Sequence, residues 1–319
     1  MVRCDALQPL SGHLVVDFTR QLPGPYASRE LVRLGARVVR IESPEGDSTR
    51  AGAPAWHDAL NAGKESVVCD LKAELELAQG ICDRADVIVD GFRPGVFDRL
   101  GLIVPESAVY CAITGFGTEG RHANQAGHDL NYVGWAGLLA DTAPAVPPAQ
   151  VADLAAGALG ALVEILAALL ERSRTGRGRR LVISMTHGSH RLASHRLKGD
   201  PVPKLLTGGP PCYRIYETAD SRFLTVAALE PKFWQRLCEL LERPDLLPRQ
   251  YVPEAAADLA EVFATRSLAA WLELFEAEDV CVGPVWTLEE AAAEFGELAG
   301  GVAPALGEHT ASWRAALGL

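Results

Sequence analysis

His13-Leu-Val-Val-Asp-Phe-Thr19, then Tyr26-Ala-Ser-Arg-Glu-Leu-Val-Arg-Leu34, then Arg37-Val-Val-Arg-Ile-Glu42 decide the fold. The outer runs are short and dense in Val and Ile, the composition of strands buried on both faces. The middle run reads as a helix closed by Gly35. Working outward, the alternation continues. Further strands are predicted at Ser66–Leu71, Asp86–Gly91, Ala108–Thr114 and Arg180–Met185, with helices at Glu74–Ala85 and Gly95–Leu100. Strand–helix alternation of this kind builds a parallel sheet with helices on both faces, so the fold class is α/β with a Rossmann-like large domain.

Asp153–Arg172 is expected to form one long apolar helix, ended by Ser173-Arg-Thr-Gly-Arg-Gly178. Pro201, Pro203, Gly208, Gly209, Pro210 and Pro211 then crowd together and mark a boundary. Beyond it the pattern changes to a hairpin, Tyr213–Tyr216 with Phe223–Ala228, followed by helices near Phe233–Leu241, Ala255–Ala264 and Ser267–Ala277. The expected organisation is a large α/β domain over 1–200, a smaller α+β domain over 201–299, and a tail, 300–319, that returns to the large one.

A 48% hydrophobic chain of 319 residues can bury two cores. The net charge of −11 excludes a nucleic-acid partner, which needs clustered Lys and Arg. The seven cysteines are scattered and never spaced as Cys-x-x-Cys, so no disulfide framework and no metal site is expected. Met1-Val-Arg-Cys-Asp5 lacks the apolar run of a signal peptide, and Glu164 interrupts the stretch Leu154–Leu170. A cytoplasmic protein without a membrane segment is the expectation.

Candidate chemistry gathers in two stretches, Gly127-His-Asp129 and Ala152-Asp153. An imidazole and a carboxylate are both able to exchange protons near neutral pH once their surroundings are right. Asp153 also suits the N-cap of the helix it precedes, beside the positive end of the helix dipole. Arg40, Arg93 and Arg99 sit at or just beyond strand ends, where open α/β sheets bind anionic ligands. Glu230 ends a strand of the second domain. Gly115-Phe-Gly-Thr-Glu-Gly120 matches the dinucleotide fingerprint in letters, but the polar, turn-like Arg121-His-Ala-Asn-Gln125 offers no helix for a pyrophosphate.

Taken in order, Leu34-Gly-Ala-Arg-Val-Val-Arg-Ile-Glu42, Gly63-Lys-Glu-Ser-Val-Val-Cys-Asp-Leu-Lys72, Ala85-Asp-Val-Ile-Val-Asp-Gly-Phe-Arg-Pro-Gly95 and Gly208-Gly-Pro-Pro-Cys-Tyr213 resemble the family III CoA-transferases. Within that superfamily the Gly127-His-Asp129 run is most similar to the α-methylacyl-CoA racemases. The resemblance implies an acyl-CoA substrate, with no separate cofactor. It makes His128 and Asp153 the proton-exchanging pair and Glu230 a partner of His128, in an interlocked homodimer. Arg40, Arg93 and Arg99 would hold the nucleotide part of CoA. The transferase branch would instead use Asp153 as an acyl-accepting nucleophile, and a non-catalytic CoA binder is a third expectation. Thr186-His187 depart from the hydrophobic–acidic pair usual in the family, which points to a specialised or a catalytically degenerate member.

Overall fold

A computed structural model describes residues 7–296 and 300–319 of the chain. They fall into two compact units, Met1–Ala193 with Leu298–Leu319, and Ser194–Glu297.

The first unit is built on six parallel strands: β1 (Leu14–Asp17), β2 (Arg37–Glu42), β3 (Glu65–Val68), β4 (Val87–Asp90), β5 (Val109–Thr114) and β6 (Arg180–Ser184). Their spatial order is β3-β2-β1-β4-β5-β6, a doubly wound sheet whose order reverses between β1 and β4. Period-two alternation sends neighbouring residues to opposite cores. Val15, Val38, Val87 and Val109 pack with Leu31, Ala161 and Ile165 on one face. Val16, Val39, Ile88 and Tyr110 pack with Leu77, Ile81 and Trp313 on the other. Both faces are therefore covered, which is why Val and Ile dominate these strands.

The helix after β1 spans Pro23–Arg33, beginning earlier than the expected Tyr26 because Pro23 fixes φ for a first helical turn. The long helix expected at Asp153–Arg172 is continuous from Ala152 to Thr175 but of two kinds. Ala152–Leu159 is π-helical and Gly160–Thr175 α-helical. Eight π residues in a row are unusual, and such segments concentrate at functional sites. This 24-residue helix is long enough to cross a membrane, and an 18-residue window of it reaches a mean hydropathy of 1.9, apolar enough to do so by composition. Ala158, Ala161 and Ile165 on its inner face are fully buried against the sheet.

The open edge of β3 is sealed by the tail. The N–H of His309 donates to the Ser66 carbonyl, Thr310 Oγ1 accepts from the Val68 N–H, and the Gly307 N–H donates to Ser66 Oγ. Trp313, in the helix Thr310–Leu317, then donates its indole N–H to Glu65 while Arg37 lies over its ring.

The second unit holds a three-stranded antiparallel sheet, β7 (Tyr213–Glu217), β8 (Phe223–Ala227) and β9 (Val282–Pro284). Helices Pro231–Leu240, Ala255–Phe263 and Leu268–Phe275 cover one face around Leu224, Trp234, Phe263 and Trp271.

Candidate active site at the strand switch point

In a doubly wound sheet a ligand crevice opens beyond the carboxyl ends of the strands, where the order reverses. Here a cavity of about 830 Å³ lies at that place. Its walls are the turn after β1 (Phe18, Thr19, Arg20, Gln21), the turn after β4 (Gly91, Phe92, Arg93), the end of β5, and the segment Gly127–Tyr132. A second cavity of about 460 Å³ shares Phe18, Arg20, Glu45, Gly46 and Phe92 with it and continues toward Leu71, Lys72 and Leu100. The two adjoin through these shared walls, a shape suited to an elongated ligand.

His128 lines the larger cavity, with its ring exposed. It is the N-cap of a helix, Asp129–Trp135, whose start is fixed by backbone contacts: the His128 N–H donates to Asn131 Oδ1 at 3.0 Å and its carbonyl accepts from the Asn131 N–H at 2.8 Å. Tyr132 reaches back from the same helix to donate to the Gly127 carbonyl. The imidazole is thus held by its backbone and left available to a ligand.

Asp153 lies in the first turn of the π-helical segment and is half-buried. It is not the N-cap. That position is Val151, and the Asp153 N–H donates to Asp129 Oδ1 at 2.9 Å. Burial, then the neighbouring Asp129 carboxylate, push the Asp153 carboxyl up to about 6, with His128 pulling the other way. Tyr132 in turn has its phenol raised by burial and by Asp153. Asp153 is absent from the walls of the larger cavity, whereas His128, Tyr132 and Met185 are on them, so the carboxyl sits just behind that surface.

The free backbone donors expected at the start of the Asp153 helix are already engaged, by Asp129 and by the Gln150 carbonyl. Among the described residues, the N–H groups of Asp129 and Leu130 have no such acceptor, and they open the helix next to His128. Gly157 makes its close approach inside the unit: a Cβ there would meet Met185 Cγ at 3.0 Å.

The three arginines fare differently. Arg93 is exposed on the wall of the larger cavity. Arg99 is exposed on the short helix Val96–Arg99 and lines neither cavity, although its neighbours Val96 and Leu100 line the smaller one. Arg40 has no accessible surface. Its Nη2 donates to Asp47 Oδ2 at 3.1 Å and its Nη1 lies 3.6 Å from Glu42 Oε1. As placed it touches no ligand, which corrects the direct role expected of it. It holds the Asp47 turn, and Asp47 in turn accepts from the N–H of Gln21 on the cavity wall.

Glu230 belongs to the second unit, exposed at the N-cap of the helix Pro231–Leu240. The preceding Leu229 carbonyl accepts from Gln250 Nε2 at 2.9 Å and Tyr251 Oη at 3.0 Å. Thr186 and His187 are both satisfied locally, on the Gly115 carbonyl and on Ser184 Oγ. The Gly115–Gly120 loop leads into turns rather than a helix, as its polar sequel indicated.

Sequence reasoning did not single out Arg20, which lines both cavities, nor Tyr132, which packs beside Asp153. For Arg20 the signal was present, a cation directly after a strand end. Asp129 lies within the candidate stretch but had no role of its own there; its bond to the Asp153 backbone has no local signal.

The site is therefore a crevice at the switch point of a doubly wound sheet, walled by His128 with the raised Asp153 carboxyl beside it. Residues 10–310 match the family model of CoA-transferase family III, and the chain belongs to that family. Members of the family are enzymes, either racemases or CoA-transferases. The chain is 35% identical over 308 residues to the alpha-methylacyl-CoA racemase of Homo sapiens, spanning 88% of this chain and 78% of that one. It is 31% identical over 330 residues to a probable fatty acyl-CoA transferase of Mycobacterium tuberculosis, spanning 88% and 83%. A crystal structure of a hypothetical protein from Mycobacterium tuberculosis superposes with a TM-score of 0.82 at 28% identity, covering 96% and 99% of the two chains. A CAIB/BAIF family protein from Brucella suis gives 0.80 at 26%, covering 97% and 99%.

Proposed function

We propose that the chain is an acyl-CoA racemase acting at the α-carbon of a 2-methylacyl-CoA thioester. The observation that carries this reading is the Asp153 carboxyl, pushed up to about 6 beside the imidazole of His128. A carboxylate that is to donate as well as accept a proton near neutral pH needs this elevation, whereas a nucleophile works best when fully ionised. His128 and Asp153 would each remove or return the α-proton, from opposite faces. The enolate oxygen would be met by the N–H groups of Asp129 and Leu130, which lack protein acceptors among the described residues. Identity to alpha-methylacyl-CoA racemases, 35%, exceeds the 30% to a succinyl-CoA:glutarate CoA-transferase of Mus musculus, and supports the same branch.

In this reading Arg20, Arg93 and Lys72 meet the phosphates and adenosine of CoA along the two adjoining cavities. CoA acts as a handle whose binding energy orients the reacting end, and no separate cofactor takes part. In a dimer, Glu230 from the other copy would serve as a partner of the His128 ring. The protein works as a cytoplasmic homodimer, and the exposed Leu159, Val163, Val182 and Leu192 near the edge strand β6 suit a subunit contact.

The test is incubation with a 2-methylacyl-CoA in D₂O, with the α-hydrogen followed by NMR. Deuterium incorporation together with loss of stereochemical purity supports the racemase. Transfer of CoA to an added carboxylate without α-exchange would overturn it in favour of the transferase, with Asp153 as nucleophile.

A further inference from the structure

Asp129 is given no task by proton exchange at His128 and Asp153, yet its carboxylate touches the backbone of one of them. The two acids lie on different elements, the helix Asp129–Trp135 and the π-helical segment Ala152–Leu159, joined by the bond from the Asp153 N–H to Asp129 Oδ1 at 2.9 Å. Asp129 is itself held at the first position of its helix, and its Oδ1 fixes the backbone of the half-buried Asp153.

The other charged groups around the π-helical segment are turned to different partners. On Pro23–Arg33, Arg29 lies over the Tyr26 ring and Glu30 takes Arg33. On Met185–Ala193, His190 Nδ1 meets the Ala136 carbonyl and His187 meets Ser184. Arg191 and, from the following helix, Glu164 line a separate groove with Ala155, Ala156 and Leu159 of the segment. The charges acting on Asp153 are those of Asp129 and His128.

We propose that Asp129 is the positioning residue of this site: its oxygen fixes the orientation of Asp153, and its fixed charge keeps Asp153 protonated for the part of the cycle in which it donates. The inference rests on the proton-exchange reading of the site, and its physical claim is measurable without any turnover. Burial is the larger cause of the raised Asp153 carboxyl, and the like charge of Asp129, bonded to the Asp153 backbone, adds to it, so removing that charge must make Asp153 more acidic. The substitution that isolates the effect is Asp129→Asn, which keeps an oxygen for the Asp153 N–H and loses only the charge.

The Asp153 carboxyl is to be titrated by NMR in protein labelled at the aspartate carboxyl carbon, its signal assigned by its loss in Asp153→Asn. In Asp129→Asn its midpoint is expected to fall by about one pH unit. At pH 7, α-exchange in the direction that uses Asp153 as donor should then slow by about tenfold, with the KM for the acyl-CoA unchanged. Asp129→Ala, which loses the acceptor as well, should lower kcat further. An unchanged Asp153 midpoint in Asp129→Asn overturns the proposal, because a merely structural aspartate would leave it where it was. Should Asp129→Asn not fold, Asp129→Ser serves the same comparison. A shifted midpoint in a protein that shows no α-exchange with any 2-methylacyl-CoA supports the role of Asp129 and overturns the racemase reading instead.

Discussion

Tyr132 and Gly127 are joined by a hydrogen bond from the phenol to the carbonyl, one residue before His128. The ring lies so close to the chain that a Cβ at Gly115 would come within 2.6 Å of it and one at Gly127 within 2.8 Å. Tyr132 thus clamps the His128 turn against the end of β5. Tyr132→Phe should lower kcat by about tenfold, the equivalent of one lost hydrogen bond, with little change in CoA affinity. Gly127→Ala should reduce both activity and stability. Steady-state kinetics with urea unfolding checks both, and a fully active Gly127→Ala would refute the clamp.

Arg40 and Arg93 should separate cleanly. Arg40→Met leaves the buried Asp47 without its cation and Glu42 with Arg50 alone, and should cost about 3–5 kcal/mol in stability. Arg93→Ala, on the exposed wall of the cavity, should leave stability within about 0.5 kcal/mol and weaken CoA binding by about tenfold. Urea midpoints and calorimetric CoA titration of the two variants distinguish the roles. The reverse pattern would restore Arg40 as a ligand contact.

Asp153 should pull stability and function apart. Its carboxyl is raised in the folded chain, so the favourable contribution is complete below the ordinary aspartate value of about 3.9 and is lost as pH rises through about 6. Asp153→Asn, permanently neutral, should match the wild type near pH 4. By pH 7.5 it should be more stable, on the order of 1 kcal/mol once solvent screening is allowed for. Activity should be abolished at every pH. Urea unfolding at the two pH values provides the check.

The Arg40 cluster has the opposite sign. Burial raises the Asp47 carboxyl, but hydrogen bonds from Thr49 and Gln21 and the Arg40 charge more than offset it, leaving it below the usual range. Glu42 is likewise lowered: Arg50, Arg40 and Ser66 outweigh its burial. Their stabilisation is present above about pH 4.3 and disappears as pH falls through their lowered values. The wild type should therefore lose stability steeply between about pH 4 and 2, and Arg40→Met should show a shallower fall.

Legibility in the sequence follows how local each determinant is. Arg37–Glu42 is a strand in every residue foreseen, because Val38, Val39 and Ile41 leave it little alternative. The six strands and the second unit's hairpin were readable for the same reason. The helices Asp129–Trp135 and Met185–Ala193 were not, being short and held by tertiary contacts such as Phe116 against Tyr132 and Trp135. β9, three residues long, exists only because β8 pairs with it. At the site, His128 and Asp153 announced themselves by residue type and spacing. The burial of Arg40 did not, since it depends on Asp47 folding back over a neighbouring strand end.

The seal on β3 has a consequence for how the chain is made. Residues 300–319 are translated after every strand of the first sheet, yet they supply the donors and acceptors that close one edge of it. The second unit can be complete while the first still exposes a strand edge, and such an edge is a template for pairing with another chain. Nascent chains are therefore most vulnerable to association in the interval before His309 and Thr310 dock. A substitution at His309 or Thr310 would therefore act on strands translated long before it rather than on the region where it lies.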